Sequence, residues 1–179
     1  MPMTEAIDSQ LLDVGLLLVR LVFGLAFAAH GAQKLFGWFG GYGLAGTGGF
    51  MESLGFRPGK TFATAAGLSE FSGGLLLALG FLGPVGPALI LSVMVVAVIT
   101  VHAKNGFFVS NNGIEHPLMC ATAAVGLALI GPGRYSVDAA LGTNRFETPG
   151  ITWIILLIGL VGGLGNLVLR RPGSTPPKV

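Results

Sequence analysis

The apolar stretch from Leu11 to Ala29 reads LLDVGLLLVRLVFGLAFAA. A helix of about 20 residues crosses the hydrocarbon core of a bilayer, so this stretch is long enough to span a membrane. Helices satisfy every backbone N–H and C=O group within one segment, which lipid requires because it offers no water partners. This and later apolar segments predict helices near 11–30, 61–82, 85–103, 115–131 and 151–169. We therefore expect an all-α membrane protein, a polytopic helical bundle.

The composition points to the same fold class. Hydrophobic residue types make up 52% of the 179 residues and only 10% are charged, against about 25% in ordinary soluble domains. The lysines and arginines stand at segment ends and form no basic stripe, which argues against binding of nucleic acid. Cys120 is the only cysteine. The chain alone therefore forms no disulfide, no CxxC redox pair and no cysteine-built metal site.

The basic residues also predict an orientation. Five spans put the first loop, the third loop and the C-terminal tail on one side, which carries Lys34, Arg57, Lys60, Lys104, Arg170, Arg171 and Lys178. The other side carries Arg134 and Arg145. Cytoplasmic loops are enriched in Lys and Arg. We therefore expect a multi-pass protein of the plasma (inner) membrane with its N-terminus outside and its C-terminus in the cytoplasm.

Arg20 and Glu70 lie inside apolar segments, where a charge is expensive. Each lies about nine residues into its segment from opposite faces, which puts both near the bilayer midplane at 1.5 Å per residue. A lone charge there costs about 2.5–3.5 kcal/mol on insertion scales. We therefore expect an Arg20–Glu70 ion pair. The pair could fix the helix register only, or it could also form the floor of a ligand or proton site.

All three histidines are predicted at one interface, since His30 ends the first segment, His102 ends the third and His116 opens the fourth. The same layer contains Lys34, Lys104, Asn105, Asn111, Asn112 and Glu115. Amphipathic side chains are common at interfaces, so the coincidence has a purely structural interpretation. The alternative is an apolar pocket with donors at its mouth, which suits a quinone head group and its need for protons near neutral pH. A metal is a rival ligand, but no HExxH or similar spacing is present, and we assign no metal site.

Glycine marks two further features. The loop from 36 to 56 is rich in glycine and aromatic residues but lacks the GK[ST] sequence of phosphate-binding loops. An aromatic segment in the membrane interface fits it better, with Phe50, Met51 and Leu54 facing acyl chains. Gly159 and Gly163 have small-xxx-small spacing, which permits packing inside the bundle or a homodimer face on the last helix.

Several short motifs together resemble the DoxX family. The first is Arg20…His30-Gly31…Lys34-Leu35, and the second is Gly67-Leu68-Ser69-Glu70 followed by Gly73-Gly74…Gly80. His102 with Asn105-Gly106-Phe107-Phe108 comes next, and Gly131-Pro132-Gly133-Arg134-Tyr135-Ser136-Val137-Asp138 is last. These motifs follow the family's order between about residue 11 and residue 141.

The resemblance implies a fold and a setting. The family is described as a four-helix membrane domain, so residues 1–148 would form a DoxX-like core. Residues 149–179 would add a fifth C-terminal transmembrane helix and a polar tail. Relatives are associated with thiosulfate:quinone oxidation, sulfur-compound handling and oxidative stress. In the last motif Ser136 would cap a helix that begins near Val137, and Arg134 would pair with Asp138.

The resemblance and the polar pattern predict a redox-associated integral membrane protein, namely a quinone-interacting membrane subunit of an oxidoreductase complex. Its ligand-binding residues would be those at the family's recurring polar positions, Arg20, His30, Lys34, Glu70 and His102. Secondary candidates are Asn105, Asn111 and His116. No flavin, haem or iron–sulfur motif is present, so a soluble redox partner would supply the electrons, and whether the chain itself is an enzyme stays open. The alternatives are a non-catalytic membrane anchor or assembly factor, and a small transporter, for which the internal repeat typical of transporters is missing.

Overall fold

The structure, a computed structural model, describes residues 3–143 and 148–171, with side chains from Ser9 onward. Its α-helices are α1 (Met3–Phe36), α2 (Gly43–Ser53), α3 (Gly59–Leu79), α4 (Val85–Ala97), α5 (Glu115–Ile130), α6 (Val137–Leu141) and α7 (Pro149–Val168). Short 3₁₀ turns lie at Trp38–Gly40 and Val109–Asn111. Arg145 and the tail beyond Arg171 lie outside the described residues.

The predicted all-α helical bundle is confirmed. Helical segments at Ser9–Phe36, Gly59–Leu79, Val85–Asn105 and Pro149–Val168 are long and apolar enough to cross a membrane. Glu115–Ile130 is a shorter apolar helix, at 16 residues. Its crossing, and with it the five-span orientation, stays a prediction.

The helices alternate in direction along the bundle. We call the end where α1 and α4 finish and α3 and α5 begin the histidine end, because His30, His102 and His116 lie there. The C-terminus of α7 reaches the same end, where the backbone N–H of Arg171 donates to the carbonyl of Gly55 at 2.8 Å. The opposite end, which we call the turn end, carries the segment 131–136.

Helices α1 and α3 pack against each other through glycines along their length. A Cβ atom added to Gly24 would lie 2.6 Å from the carbonyl oxygen of Gly74, and one added to Gly31 would lie 2.7 Å from that of Gly67. Small residues let two helix backbones approach this closely. These two contacts fix the antiparallel register of α1 on α3.

Helices α3 and α4 form a tight hairpin at the turn end. Gly80 ends α3 in the left-handed conformation with φ 63°, which costs glycine nothing sterically. Close to this hairpin, a Cβ on Gly73 would lie 3.0 Å from the carbonyl oxygen of Gly86. The two helices are therefore in backbone contact near the turn end.

One apolar cluster joins α1, α3, α4 and α5, and its buried members are Phe27, Leu77, Ile90, Met94, Cys120, Ala124 and Leu127. A second cluster seats α7 against α4 and α5 through Ala88, Leu91, Ala128 and Leu156. The backbone of α7 approaches α4 closely at Gly159, next to Ala88, and at Gly163, next to Ser92. Gly159 and Gly163 therefore pack against α4 of the same bundle. Helix α7 lies on the outer side of the core that α1, α3, α4 and α5 form.

Candidate functional site

A cavity of about 630 Å³ occupies the histidine end of the bundle. It extends along α1 from Lys34 to Phe23, which is roughly 16 Å at 1.5 Å per residue. Its polar lining residues include Lys34, Glu70, Asn112 and all three histidines, and its apolar wall includes Phe23, Phe27, Val93, Met94 and Phe62. The cavity is thus apolar toward the middle of the bundle, while ionisable and apolar side chains, Phe62 among them, line it together toward the helix ends.

An ion pair between Lys34 and Glu70 lies at the wall of this cavity. Glu70 is only 3% exposed, whereas the Lys34 side chain is 26% exposed. A carboxylate in so buried a position needs a cationic or hydrogen-bonding partner, since an unpaired buried charge is strongly unfavourable. Lys34 supplies that partner and reaches the carboxylate from the mouth of the cavity.

The expected Arg20–Glu70 pair is wrong. The glycine contacts set a register in which Gly24 faces Gly74 and Gly31 faces Gly67. Arg20 therefore lies opposite the C-terminal end of α3, while Glu70 lies opposite the last turns of α1. The separation is about ten residues, or roughly 15 Å along the helix axis. The pair was predicted because each residue lies about nine residues into its apolar segment. The two segments are offset along the bundle, so equal positions within the segments are not equal depths in the bundle.

Arg20 instead holds the turn end together. Its guanidinium donates to the carbonyl oxygens of Pro132 and of Tyr135, the latter at 2.7 Å, and the residue is 1% exposed. It also lies against Gly80, where a Cβ would collide with the guanidinium. Of the five residues first predicted for the site, His30, Lys34, Glu70 and His102 line the cavity, whereas Arg20 lies away from it.

The motif from Gly131 to Asp138 is built as a capped turn. The Ser136 side chain accepts a hydrogen bond from Ala139 N at 3.1 Å, which caps α6 as predicted. The expected Arg134–Asp138 pair does not form. Asp138, 1% exposed, instead accepts hydrogen bonds from the backbone N–H of Gly83 and the hydroxyl of Thr143. A buried carboxylate is satisfied by these donors without a cation.

The three histidines line one cavity, each with a different neighbour. His30 Nδ1 lies 3.2 Å from the amide oxygen of Gln33, and His102 Nδ1 lies 2.8 Å from the carbonyl oxygen of Asn112. Both oxygens only accept, so Nδ1 carries the hydrogen in each ring. The Nε2 atom of the neutral ring is then an acceptor, and it becomes a donor when the ring is protonated.

A π-helical turn at Val98–His102 follows α4, and His102 is its last residue. Asn105 supports the same arrangement, because its side chain donates to the carbonyl oxygens of Val101 and Asn112. Asn105 is therefore a positioning residue next to the cavity. Asn111 does not line the cavity, whereas its neighbour Asn112 does. Single π turns inside helices occur frequently at functional sites.

Part of the cavity wall was not predicted from the sequence. Phe50, Met51 and Leu54 were expected to face acyl chains, but all three line the cavity, because α2 lies across the histidine end rather than away from it. Cys120 also lines the cavity and lies 3.8 Å from His116 Nε2. The i,i+4 spacing of His116 and Cys120 was the available signal.

The described residues give no metal centre. No group of three or more His, Cys, Asp and Glu side chains in the described ranges stands close enough to hold an ion. What the arrangement can do is accept and donate protons, through the imidazoles and the Lys34–Glu70 pair, around an apolar ligand.

Comparison with known proteins gives two matches. The DoxX family model matches residues 15–103, the stretch that holds α1 to α4. The chain is also 30% identical over 129 residues to Inner membrane protein YqjF of Escherichia coli (strain K12), an alignment that covers 72% of this chain and 93% of that protein. No solved structure matches the chain significantly.

Proposed function

The chain belongs to the DoxX family of integral membrane proteins, and we propose that it binds a quinone in the cavity at the histidine end. The named relative is an inner membrane protein, and we place this chain in the same kind of membrane. In this proposal it is the membrane subunit of a quinone-linked oxidoreductase, acting in sulfur-compound oxidation or oxidative-stress defence.

The observation that carries the proposal is one cavity with an apolar interior and ionisable groups at its mouth. Its volume, about 630 Å³, falls within the range of roughly 300–1,000 Å³ typical of small-molecule sites. A quinone ring is flat and apolar with two carbonyl acceptors. Phe23 and Phe27 offer faces for the ring, with their own centroids 4.9 Å apart, and Lys34 offers a charged donor to a carbonyl.

Reduction of a quinone to a quinol consumes two electrons and two protons. A soluble redox partner is proposed to supply the electrons. Protonated His30 and protonated His102 would each deliver one of the two protons from Nε2, because Nδ1 of each ring is occupied by an acceptor oxygen. The Lys34–Glu70 pair would hold the head group and keep the local charge balanced.

The proposed orientation places the histidine end toward the cytoplasm. Lys34, Lys60, Lys104, Arg170 and Arg171 stand at that end, which agrees with the preference of Lys and Arg for cytoplasmic loops. A cytoplasmic electron-donating protein would then meet the mouth of the cavity directly.

A non-catalytic anchor or assembly role is the second candidate, and one observation favours it. Lys34 and Glu70 already satisfy each other, so the pair has a structural role without any ligand. Under that role, substitutions at the cavity would lower protein abundance and partner activity in parallel. The transporter alternative has weaker support, because Arg20, which would have to lie on a polar path, is buried and donates to the carbonyl oxygens of Pro132 and Tyr135.

Quinone binding to the purified protein in nanodiscs tests the proposal. Trp38 lies at the histidine end and Trp153 on α7, so Trp153→Phe leaves one reporter near the cavity. We expect quinone to quench the fluorescence of Trp38 saturably. The quinone affinity should fall about tenfold or more in folded His30→Ala and Glu70→Gln variants, which is the effect expected for the loss of one charged hydrogen bond. Arg134→Ala at the turn end is the matched control. If the folded protein shows no saturable binding, quinone binding is refuted and the anchor or assembly role is favoured.

A further inference from the structure

Helix α7 lies outside the stretch that matches the family model, which ends at residue 103. It nevertheless reaches the candidate site at the histidine end. Asn166, on its last turn, lines the same cavity as Lys34 and Glu70. Its Nδ2 donates to the carbonyl of Gly162 at 2.9 Å, and this contact does not use the amide oxygen.

The end of α7 also binds the segment that follows α2. The Arg170 Nε atom donates to the carbonyl oxygen of Leu54, and the backbone N–H of Arg171 donates to that of Gly55 at 2.8 Å. Gly55 has φ 93°, and a Cβ there would lie 2.7 Å from the Arg171 carbonyl oxygen. The contact therefore requires glycine at position 55, both for its backbone conformation and for the close approach.

These two contacts bear on the cavity because α2 forms one of its walls. Phe50, Met51 and Leu54 line the cavity from α2, and Leu54 itself supplies the carbonyl that Arg170 binds. The start of α2 is a glycine with φ 61°, Gly43. Left-handed glycines thus stand at both ends of α2, where the chain can change direction at low steric cost.

The face of α2 that lies on α3 is held separately. Gly48 packs against Lys60, and Glu52 accepts a hydrogen bond from the backbone N–H of Gly59 at 3.1 Å. These contacts seat α2 on the first turn of α3. The contacts from Arg170 and Arg171 add a second attachment, made by the residues that follow α7, just after the C-terminal end of α2.

We infer that α7 completes the ligand site of this chain: Asn166 contacts the ligand, and Arg170 with the Arg171 backbone holds α2 in place as the wall of the cavity. Arg170 is a positioning residue, since it acts through Leu54. The part concerning the ligand rests on the proposed function, whereas the attachment of α2 does not. The consequence is a site whose wall depends on a helix beyond the matched family region.

Amide hydrogen exchange on the full chain in nanodiscs tests the attachment without any ligand. Arg170→Ala removes the side-chain donor, Arg171→Pro removes the backbone donor, and Arg171→Ala is the matched control, which changes the same charge and keeps the N–H. We expect exchange of residues 44–54 to rise about tenfold in Arg170→Ala, which loses a charge-assisted hydrogen bond, and about fivefold in Arg171→Pro, which loses a neutral backbone hydrogen bond. Exchange of residues 86–97 in α4 is expected to stay at the wild-type rate, as it is in the control.

Dissociation of a quinone with a ten-carbon tail is then measured on the same variants and on Asn166→Ala. We expect quinone to dissociate at least about fivefold faster in Asn166→Ala, which loses a contact with the ligand, and in Arg170→Ala and Arg171→Pro, in which α2 is held less firmly. The dissociation rate should be unchanged in Arg171→Ala, since loss of contacts at a binding site acts mainly on the dissociation rate. Unchanged exchange of residues 44–54 in both Arg170→Ala and Arg171→Pro would overturn the attachment. Faster exchange with unchanged dissociation would overturn the role in the site. A wild type that binds no quinone would refute the proposed function, and the exchange result would still decide the attachment.

Discussion

Lys34 of α1 and Glu70 of α3 form an ion pair whose carboxylate is almost completely buried and whose ammonium group reaches the mouth of the cavity. This difference in burial matters because loss of the ion pair has a different energetic cost for each partner. Lys34 can extend its side chain toward the aqueous interface. Glu70 cannot, so its charge would remain in the bundle without a partner.

Substitution of each partner should therefore have unequal effects on stability. We expect Lys34→Met to lower the free energy of unfolding by about 2–3 kcal/mol, since it leaves a buried carboxylate unpaired, and Glu70→Gln to cost less. The double variant Lys34→Met with Glu70→Gln should recover part of the loss, because no buried charge is then left without a partner. A double-mutant cycle measured by thermal unfolding in detergent gives the coupling energy, expected to exceed about 1 kcal/mol. Additive effects of the two substitutions would contradict a coupled pair.

The glycine register of α1 on α3 makes a second prediction. Gly24→Ala puts a methyl group 2.6 Å from the carbonyl oxygen of Gly74, while Gly15→Ala, on the same helix, meets nothing within 4 Å. We expect Gly24→Ala to destabilise the protein by about 2 kcal/mol or more, as overpacking against backbone does. Gly15→Ala should be neutral or slightly stabilising, because alanine has the higher helix propensity. Equal melting temperatures of the two variants would disprove the close backbone contact.

The register of α1 on α3 also separates what could be predicted from the sequence from what could not. The length of the apolar segments and the low content of charged residues were sufficient to predict the helical bundle and to place His30, His102 and His116 at the same end of it. The partner of Glu70 could not be predicted the same way. Pairing depends on how far α1 slides along α3, which is decided by backbone contacts at Gly24, Gly31 and their partners. Hydropathy does not encode that offset.

The missed cavity wall has a similar origin. The loop 36–56 was expected to lie in the membrane interface because its aromatic residues suit that position. Its fold into α2 across the histidine end depends in part on Arg170, which is 116 residues away from its partner Leu54 in the chain. The motif 131–138, by contrast, was predictable at Ser136, since helix capping is local. The Asp138 partner Gly83, which is 55 residues away in the chain, was missed.

Arg20 provides a third prediction, which separates fold from site. Its guanidinium binds the carbonyls of Pro132 and Tyr135 at the turn end, away from the cavity. We expect Arg20→Met to lower the free energy of unfolding by about 2–4 kcal/mol, since two charged hydrogen bonds are lost. Quinone affinity of the folded protein should stay within about twofold of wild type, in contrast to His30→Ala. A loss of affinity in folded Arg20→Met as large as that in His30→Ala would return Arg20 to the site.

Cys120 gives a direct test of ligand occupancy. It is the single cysteine of the chain and it lines the cavity, so alkylation by N-ethylmaleimide produces one mass shift that reports one position. A bound quinone should block the reagent. At a free quinone concentration about ten times Kd, roughly one molecule in eleven is unoccupied, and alkylation should slow about tenfold. Mass spectrometry of timed samples gives the rate.

The control for this protection is the Glu70→Gln variant, whose quinone affinity is expected to fall. Quinone should then protect Cys120 only at a correspondingly higher concentration, while the alkylation rate without quinone stays close to that of the wild type. An analogue of the same tail length with hydrogen in place of both quinone oxygens should protect less, because the donors at the mouth then have no acceptor to bind. Equal alkylation rates with and without saturating quinone would mean that the ligand binds elsewhere, since any occupant of this cavity must share its walls with Cys120.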